Sequence, residues 1–234
     1  MTNAILSEDQ LSHLRRFDTP TVSNAINTIL KGSRQNFTRD HLYCAFPSLP
    51  SFVGYAKTAT MRGVHPCPLS KEEESEHELR YWTYVAEGPR PTISVIQDLD
   101  GKDAGYASIW GEVNATIHFG FGCVGTVTDG GIRDLDSIPP GFQLLATKVT
   151  PFGSWSHYVD FGCTVNVCGM QVHSGDLIHA DRHGAVVVPT DRIPELFAAI
   201  ERVFRREKPL IDAAKEPNLT VEKLRAAHVA RSKF

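Results

Sequence analysis

The apolar positions change period along the chain. Ser7-Glu-Asp-Gln10 has the reciprocal spacing of a capping box and predicts a short helix through Phe17. Thr19-Pro20 then supplies an N-cap and a first-turn proline. Val22, Ile26 and Ile29-Leu30 fall on one face, which predicts a second helix to Lys31, ended by Gly32. Phe52–Met61 and Thr92–Leu99 read as buried strands. The polar stretch between them, Lys71–Glu87, reads as a helix whose Glu72, Glu73 and Glu74 form a solvated face. A loop over Asp100–Gly105, a helix from about Ala107 to Phe119 and a strand Cys123–Thr128 follow. A turn at Asp129-Gly-Gly131 leads into Ile132–Leu135.

After Pro139-Pro140 the period shortens. Phe142–Thr147, Val165–Cys168, Asp176–Ala180 and Ala185–Pro189 read as strands, with Asp181-Arg-His-Gly184 a hairpin turn between the last two. A helix Ile193–Glu207 is expected to be capped by Thr190 or Asp191 and ended by Pro209, with Val221–Arg231 helical beyond it. Its apolar stripe is Ile193, Leu196-Phe197, Ile200 and Phe204. Strands alternate with helices first and cluster later. This predicts an α/β layered domain with a mixed sheet, spanning 1–234 as a single domain with helical ends.

Composition narrows the partners. The 234 residues are 41% hydrophobic and 22% charged with a net charge of −3, and no basic block stands out, so nucleic acid is not an implied partner. The acidic start and the lack of an ~18-residue apolar run predict neither a leader nor a membrane span. Five cysteines, an odd number without Cys-x-x-Cys spacing, argue against disulfides or structural zinc and for a cytoplasmic setting.

One constellation suggests chemistry. Glu112 follows Gly111 at a helix start, and Arg133-Asp134 comes after twenty intervening residues that read helix, strand, turn. That path returns the chain to the start of the helix, so the two acids and the arginine converge. Two carboxylates suit Mg²⁺ or Mn²⁺, held directly or through its waters. An arginine supplies a fork of donors for an oxyanion. The free N–H groups of a helix start bind a carboxylate. Together they describe a site for a 2-oxo acid. The same residues also read as a plain turn followed by surface charge.

Other groups rank lower. His179, Asp181 and His183 have metal-like spacing, but His183 falls in the turn, away from the face the other two share. His157 and Tyr158 are an acid/base pair or pocket lining. No Gly-x-Ser-x-Gly elbow, phosphate loop or dinucleotide fingerprint is present.

The motifs Asp18–Asn24, Gly111-Glu112 to Arg133-Asp134, Ser174–Ile178 and Gly184–Pro189 together resemble the 4-hydroxy-4-methyl-2-oxoglutarate/4-carboxy-4-hydroxy-2-oxoadipate aldolases of the regulator of ribonuclease activity A-like superfamily. The resemblance implies a swivelling β/β/α fold, a homotrimer or homohexamer, and a class II aldolase that cleaves a 4-hydroxy-2-oxo acid to pyruvate and decarboxylates oxaloacetate. It implies Asp134 on the metal, Glu112 on its waters, Arg133 at the keto oxygen, and amides over Gly111, Val113 and Asn114 at the substrate carboxylate. It also implies a neighbouring subunit's C-terminal acid, best matched by Glu207. The family commonly has Asp where Glu112 stands. Segment 65–90 is longer and more acidic than the family suggests, and Ser154–Tyr158 replaces a simpler loop. The alternatives are a non-catalytic ribonuclease-regulator-like binding protein, or a hydrolase of a 2-oxo acid on the same scaffold.

Overall fold

The computed structural model describes residues 5–31 and 35–231, so the expected helix stop at Gly32 lies outside the described residues. The chain divides into two compact units, one of residues 1–19 and 36–190, the other of 20–35 and 191–234.

The elements in chain order are α1 (Glu8–Arg15), α2 (Thr19–Leu30), β1 (Tyr43–Cys44), β2 (Phe52–Arg62), α3 (Lys71–Ala86), β3 (Thr92–Asp98), β4 (Ser108–Trp110), α4 (Glu112–Gly120) and β5 (Cys123–Ile132). They continue with β6 (Gln143–Val149), β7 (His157–Phe161), β8 (Val165–Val167), β9 (Met170–Val172), β10 (Leu177–Asp181), β11 (Gly184–Val188), α5 (Ile193–Lys215) and α6 (Val221–Arg231). The architecture is the expected mixed α/β one. A curled sheet runs β1-β6-β5-β3-β2-β10-β11, and β8 and β9 form a separate ribbon. Its centre, β6-β5-β3-β2, is parallel.

Both faces of that centre are covered, which is why β2 and β3 read as near-continuous apolar runs. The two-residue period assigns the faces. Val95 and Leu145 join one core with Val165, Val167 and Met170, while Ile96 and Leu144 join the other with Trp110, Tyr81 and Phe142.

The two long strands each divide one edge between two partners. β2 pairs with β10 over Phe52–Tyr55 and with β7 over Ala59–Arg62. β5 pairs with β3 over Cys123–Thr128, then with β4 at Gly131 and Ile132. Both added strands therefore sit at the carboxyl ends of the parallel strands, where open α/β sheets place their ligands.

Several expectations are corrected here. The stretch from Ala107 is not helical at first: Ser108-Ile-Trp110 is extended, and the helix begins at Glu112. Asp129-Gly-Gly131 is not a turn but the continuation of β5. Its Gly131 is required by close approach, since a Cβ there would lie 2.5 Å from Thr150 Cγ2. Helix α5 runs on through Pro209 to Lys215, and Lys208 pairs with Asp212 across the proline (2.7 Å). Neither Thr190 nor Asp191 caps it; Arg192 is the N-cap. Its buried stripe follows Ile193, Leu196, Ala199, Ile200 and Val203, leaving Phe204 exposed. Among the described residues, no helix is long and apolar enough to cross a membrane.

Helices α3 and α4 are joined by a buried polar chain. His118 Nδ1 lies 2.7 Å from the Asn114 carbonyl, and Nε2 lies 2.8 Å from Tyr81 Oη. A carbonyl only accepts, so Nδ1 carries the proton and Tyr81 donates to Nε2. Burial drives the His118 pKa down to about 4 and raises that of Tyr81.

The neutral imidazole makes stability pH-dependent. Between about pH 6.5 and 4 the unfolded chain binds a proton that the folded one does not, so this histidine's contribution is whole above pH 6.5 and falls as the pH drops. The loss approaches about 3 kcal/mol. Asp129 works in the opposite sense, because burial and then the nearby Asp98 push its carboxyl up to about 7. The comparison is therefore between variants. His118→Gln should lose stability at pH 7.5, and its unfolding midpoint should fall less steeply between pH 6.5 and 4.5 than the parent's. Parallel pH profiles would exclude a neutral buried His118.

Candidate active site at the carboxyl ends of β4 and β5

Pairing of β4 with the end of β5 brings the predicted residues together. Arg133 N donates to the Trp110 carbonyl (2.9 Å), which locks the two chain segments where both leave the sheet. Gly111 follows as the N-cap of α4, in extended conformation and with no side-chain cap. Asp134 adopts left-handed backbone geometry (φ 54°, ψ 37°), which aims its carboxylate back over the helix start. Its Oδ2 accepts from Glu112 N at 3.2 Å. Asp134 thus does for α4 what a capping side chain normally does, and the helix dipole favours its negative charge. Arg133 Nη1 lies 3.7 Å from the same oxygen.

Two glycines make the space. A Cβ on Gly111 would sit 2.4 Å from Asp134 Oδ2 and 3.2 Å from Arg133 Nε. A Cβ on Gly153 would sit 2.8 Å from Arg133 Nε and 2.9 Å from the Ser108 carbonyl. The guanidinium stem therefore lies in a slot between two bare backbone positions. Its Nε is buried and has no hydrogen-bond acceptor among the described residues.

Arg133 also opens onto a cavity of about 320 Å³ whose walls include Asn114, Ser108, Ser156, Glu74, Glu78 and His157. Asn114 is held there by a hydrogen bond from its amide to the Ile109 carbonyl (2.6 Å). Burial, then the neighbouring Glu74, raises the Glu78 carboxyl above its ordinary range.

Gly111, Glu112, Arg133 and Asp134 converge as the spacing implies, and Asn114 joins them through the cavity. The Val113 side chain is exposed, and Glu207 lies half-buried on α5 in the second compact unit. Glu74 is not simply part of a solvated face, because it lines the cavity. Sequence reasoning passed over Glu78, Ser108 and Gly153. The first had a signal: Glu74, Glu78, Tyr81 and Val85 share one helical stripe that begins polar and ends buried.

The metal-like group of His179, Asp181 and His183 is structural. Thr19 N donates to Asp181 Oδ2 (2.8 Å), His179 Nδ1 meets Thr19 Oγ1 (3.1 Å), and His179 Nε2 meets the Leu14 carbonyl (3.1 Å). Among the described residues, no three His, Cys, Asp or Glu side chains form a ready ligand cage. Mg²⁺ asks for less, since it keeps several waters and is commonly held by one or two carboxylates. Asp134, with Glu112 beside it on the first turn of α4, is a donor set of that kind, and the cradle over Gly111 admits nothing larger than a hydrogen.

Comparison with known proteins agrees with this layout. A family model described as RraA-like, Aldolase/RraA, matches residues 19–187. An uncharacterized protein of Methanocaldococcus jannaschii is 27% identical over 121 residues, which is 50% of this chain and 57% of that one, so the match spans little more than half of that relative. Among solved structures, an uncharacterized protein from Pseudomonas syringae pv. tomato has a TM-score of 0.73 at 20% identity, covering 97% of both chains. RraAS2 of Streptomyces coelicolor, described as an unusual member of the RNase ES inhibitor RraA family, has a TM-score of 0.66 at 19% identity, covering 91% of this chain and 99% of that one. At these identities the two structures establish the fold.

The glycine slot yields a direct structural test. Gly111→Ala should fold but expel the Asp134 carboxylate, breaking its contact with Glu112 N, at a cost of about 1–3 kcal/mol. A crystal structure of the variant with Asp134 unmoved would show that the cradle is not tight.

Proposed function

The chain belongs to the RraA-like family, and from that premise we propose that it is a divalent-metal-dependent lyase that cleaves 4-hydroxy-2-oxo acids to pyruvate and a second carbonyl compound. The observation that carries this reading is the pair of Asp134, whose carboxylate closes the start of α4, and Arg133, which opens onto a polar cavity beside it. Mg²⁺ or Mn²⁺, held by Asp134 with Glu112 on its waters, would supply positive charge to polarise the keto group.

The chain's own residues do the remainder. The first-turn amides of α4, over Val113 and Asn114, take the substrate carboxylate as helix starts take anions. Arg133 donates to the keto oxygen and strengthens that hydrogen bond as the C3–C4 bond breaks and the oxygen becomes an enolate oxyanion. The terminal nitrogens are the donors that reach that oxygen, because Nε is buried in the glycine slot while the side chain as a whole is 41% exposed. The C4 hydroxyl must lose its proton as the bond breaks. Glu78, whose raised proton affinity brings it nearer neutrality, and His157 are the titratable cavity groups available to receive it. Protonation of the enolate at C3 gives pyruvate. Oxaloacetate loses carbon dioxide through the same enolate, so decarboxylation belongs to the same site.

A non-catalytic role as a ribonuclease regulator is the competing reading. It leaves unexplained why two glycines make room for an arginine that opens onto a polar cavity and for a carboxylate held at a helix start. The family resemblance also brings Glu207 of a neighbouring copy to this centre, in a homotrimer or homohexamer. Glu207→Ala should then lower activity without preventing assembly. Mixing it with Asp134→Ala protein should restore part of the activity as subunits exchange; no recovery despite exchange would refute a shared centre.

Two substitutions test the chemistry. Asp134→Ala should abolish Mg²⁺-dependent pyruvate release from 4-hydroxy-2-oxo acids while the chain still folds, at a cost of about 1 kcal/mol for the lost helix cap. Full activity in this variant, or in chelator-treated protein, would sink the lyase assignment. Arg133→Lys keeps the charge but loses the planar fork. It should lower kcat by roughly 10²–10³ for aldol cleavage and decarboxylation alike. Loss of one activity alone would show that Arg133 does not serve the shared enolate.

A further inference from the structure

The cavity in front of Arg133 does not stop at the polar chamber. A second chamber of about 440 Å³ adjoins it, and the two share Cys67, Leu69, His77, His157 and Tyr158 as common walls. The chambers differ in chemistry. The first carries Arg133, Lys71, Glu74 and Glu78. The second is walled by Pro66, Pro68, Leu69 and Val159. Among its described lining residues the two formal charges, Arg62 and Asp100, are already paired at 3.0 Å. Arg62 also donates to the Leu99 carbonyl, and the Asp100 carboxylate accepts from Gly63 N and Val64 N. Neither is free to meet a ligand charge.

Resting on the lyase reading above, we propose that the second chamber holds the C4 substituent of the substrate, and that this substituent is apolar, an aryl or branched alkyl group, and not a carboxylate. Three observations converge on it. The shared walls set the apolar chamber directly beside the one that Arg133 lines. Among the described lining residues of that chamber no lysine or unpaired arginine waits to receive a second carboxylate, and the other basic groups are the imidazoles of His65, His77 and His157. Glu74 and Glu78 flank the way, so a dianionic substrate would pass two like charges that already oppose one another. Cleavage of such a substrate breaks C3–C4, transfers the C4 hydroxyl proton to a base and a proton to C3, and releases pyruvate and an apolar aldehyde or ketone.

Most of the walls come from the segment 65–90 and from His157 and Tyr158, parts of the two stretches in which the chain departs from the aldolases it resembles. Specificity is therefore expected to depart there too, because a pocket gains selectivity from what its walls offer and from what they refuse.

Calorimetric titration of the full chain in excess Mg²⁺ tests this with two ligands that lack the C4 hydroxyl and cannot be cleaved. 2-Oxo-4-phenylbutanoate should bind at least tenfold more tightly than 2-oxoglutarate. Leu69→Asn, at an exposed position where folding is not at stake, should weaken the phenyl ligand alone and shrink the ratio below about threefold; Val159→Asn should do the same. Equal or tighter binding of 2-oxoglutarate, or equal weakening of both ligands by the variants, would overturn the proposal. So would variants that leave both affinities intact but change the sedimenting species, which would assign the apolar chamber to contact with a second copy. Oxaloacetate decarboxylation reports the Arg133 centre alone. Decarboxylation without phenyl selectivity would refute the apolar subsite and leave the lyase reading standing. Phenyl selectivity without decarboxylation or pyruvate release would do the reverse.

Discussion

Everything at the candidate site follows from one backbone pairing, the union of β4 with the last residues of β5. Three residues of strand are a small element, yet the hydrogen bond from Arg133 N to the Trp110 carbonyl fixes where α4 starts relative to where β5 ends. Once that is set, Gly111, Glu112, Arg133 and Asp134 have little freedom. The left-handed turn at Asp134 returns its carboxylate to the helix start, and any side chain at Gly111 would collide with it. Trp110, fully buried beneath the site, anchors the arrangement in the core it shares with Phe142 and His118. The site is rigid because its supports are core residues.

The convergence of Glu112 with Arg133-Asp134 was legible in the spacing, but the route was not. Ser108-Ile-Trp110 is too short to show a period and runs directly into a helical pattern, so it reads as the helix's first turn. Asp129-Gly-Gly131 carries the residues of a turn, and only the packing of Thr150 and Gly105 against Gly131 explains glycine inside a strand. Strand β7 was hidden for a different reason. Its Tyr158 is buried against Tyr81, while Val159 and Asp160 are exposed, and five residues with one buried aromatic resemble a loop. Buried strands such as β3, by contrast, announce themselves because both faces are apolar.

Helix α3 shows how local chemistry can be read correctly and still mislead. Glu72 and Glu73 are exposed, and Glu73 closes the reciprocal cap with Ser70. Glu74, one residue further, turns into a cavity because 100° of rotation separates neighbours on a helix. A run of three glutamates thus serves two different environments. The stripe it belongs to ends in Tyr81 and Val85, whose burial sets the rotation of the whole helix and so decides which acids face inward.

The slot that holds Arg133 has an evolutionary cost attached. A buried donor with no acceptor among the described residues lowers the stability of the ligand-free chain, by about 1–3 kcal/mol for such groups. No side chain at Gly111 or Gly153 recovers that energy, because a Cβ at either position would collide with Asp134 or with Arg133 itself. An arginine whose Nε goes unmet between two bare glycines thus marks a protein held below its attainable stability by the shape its site must keep.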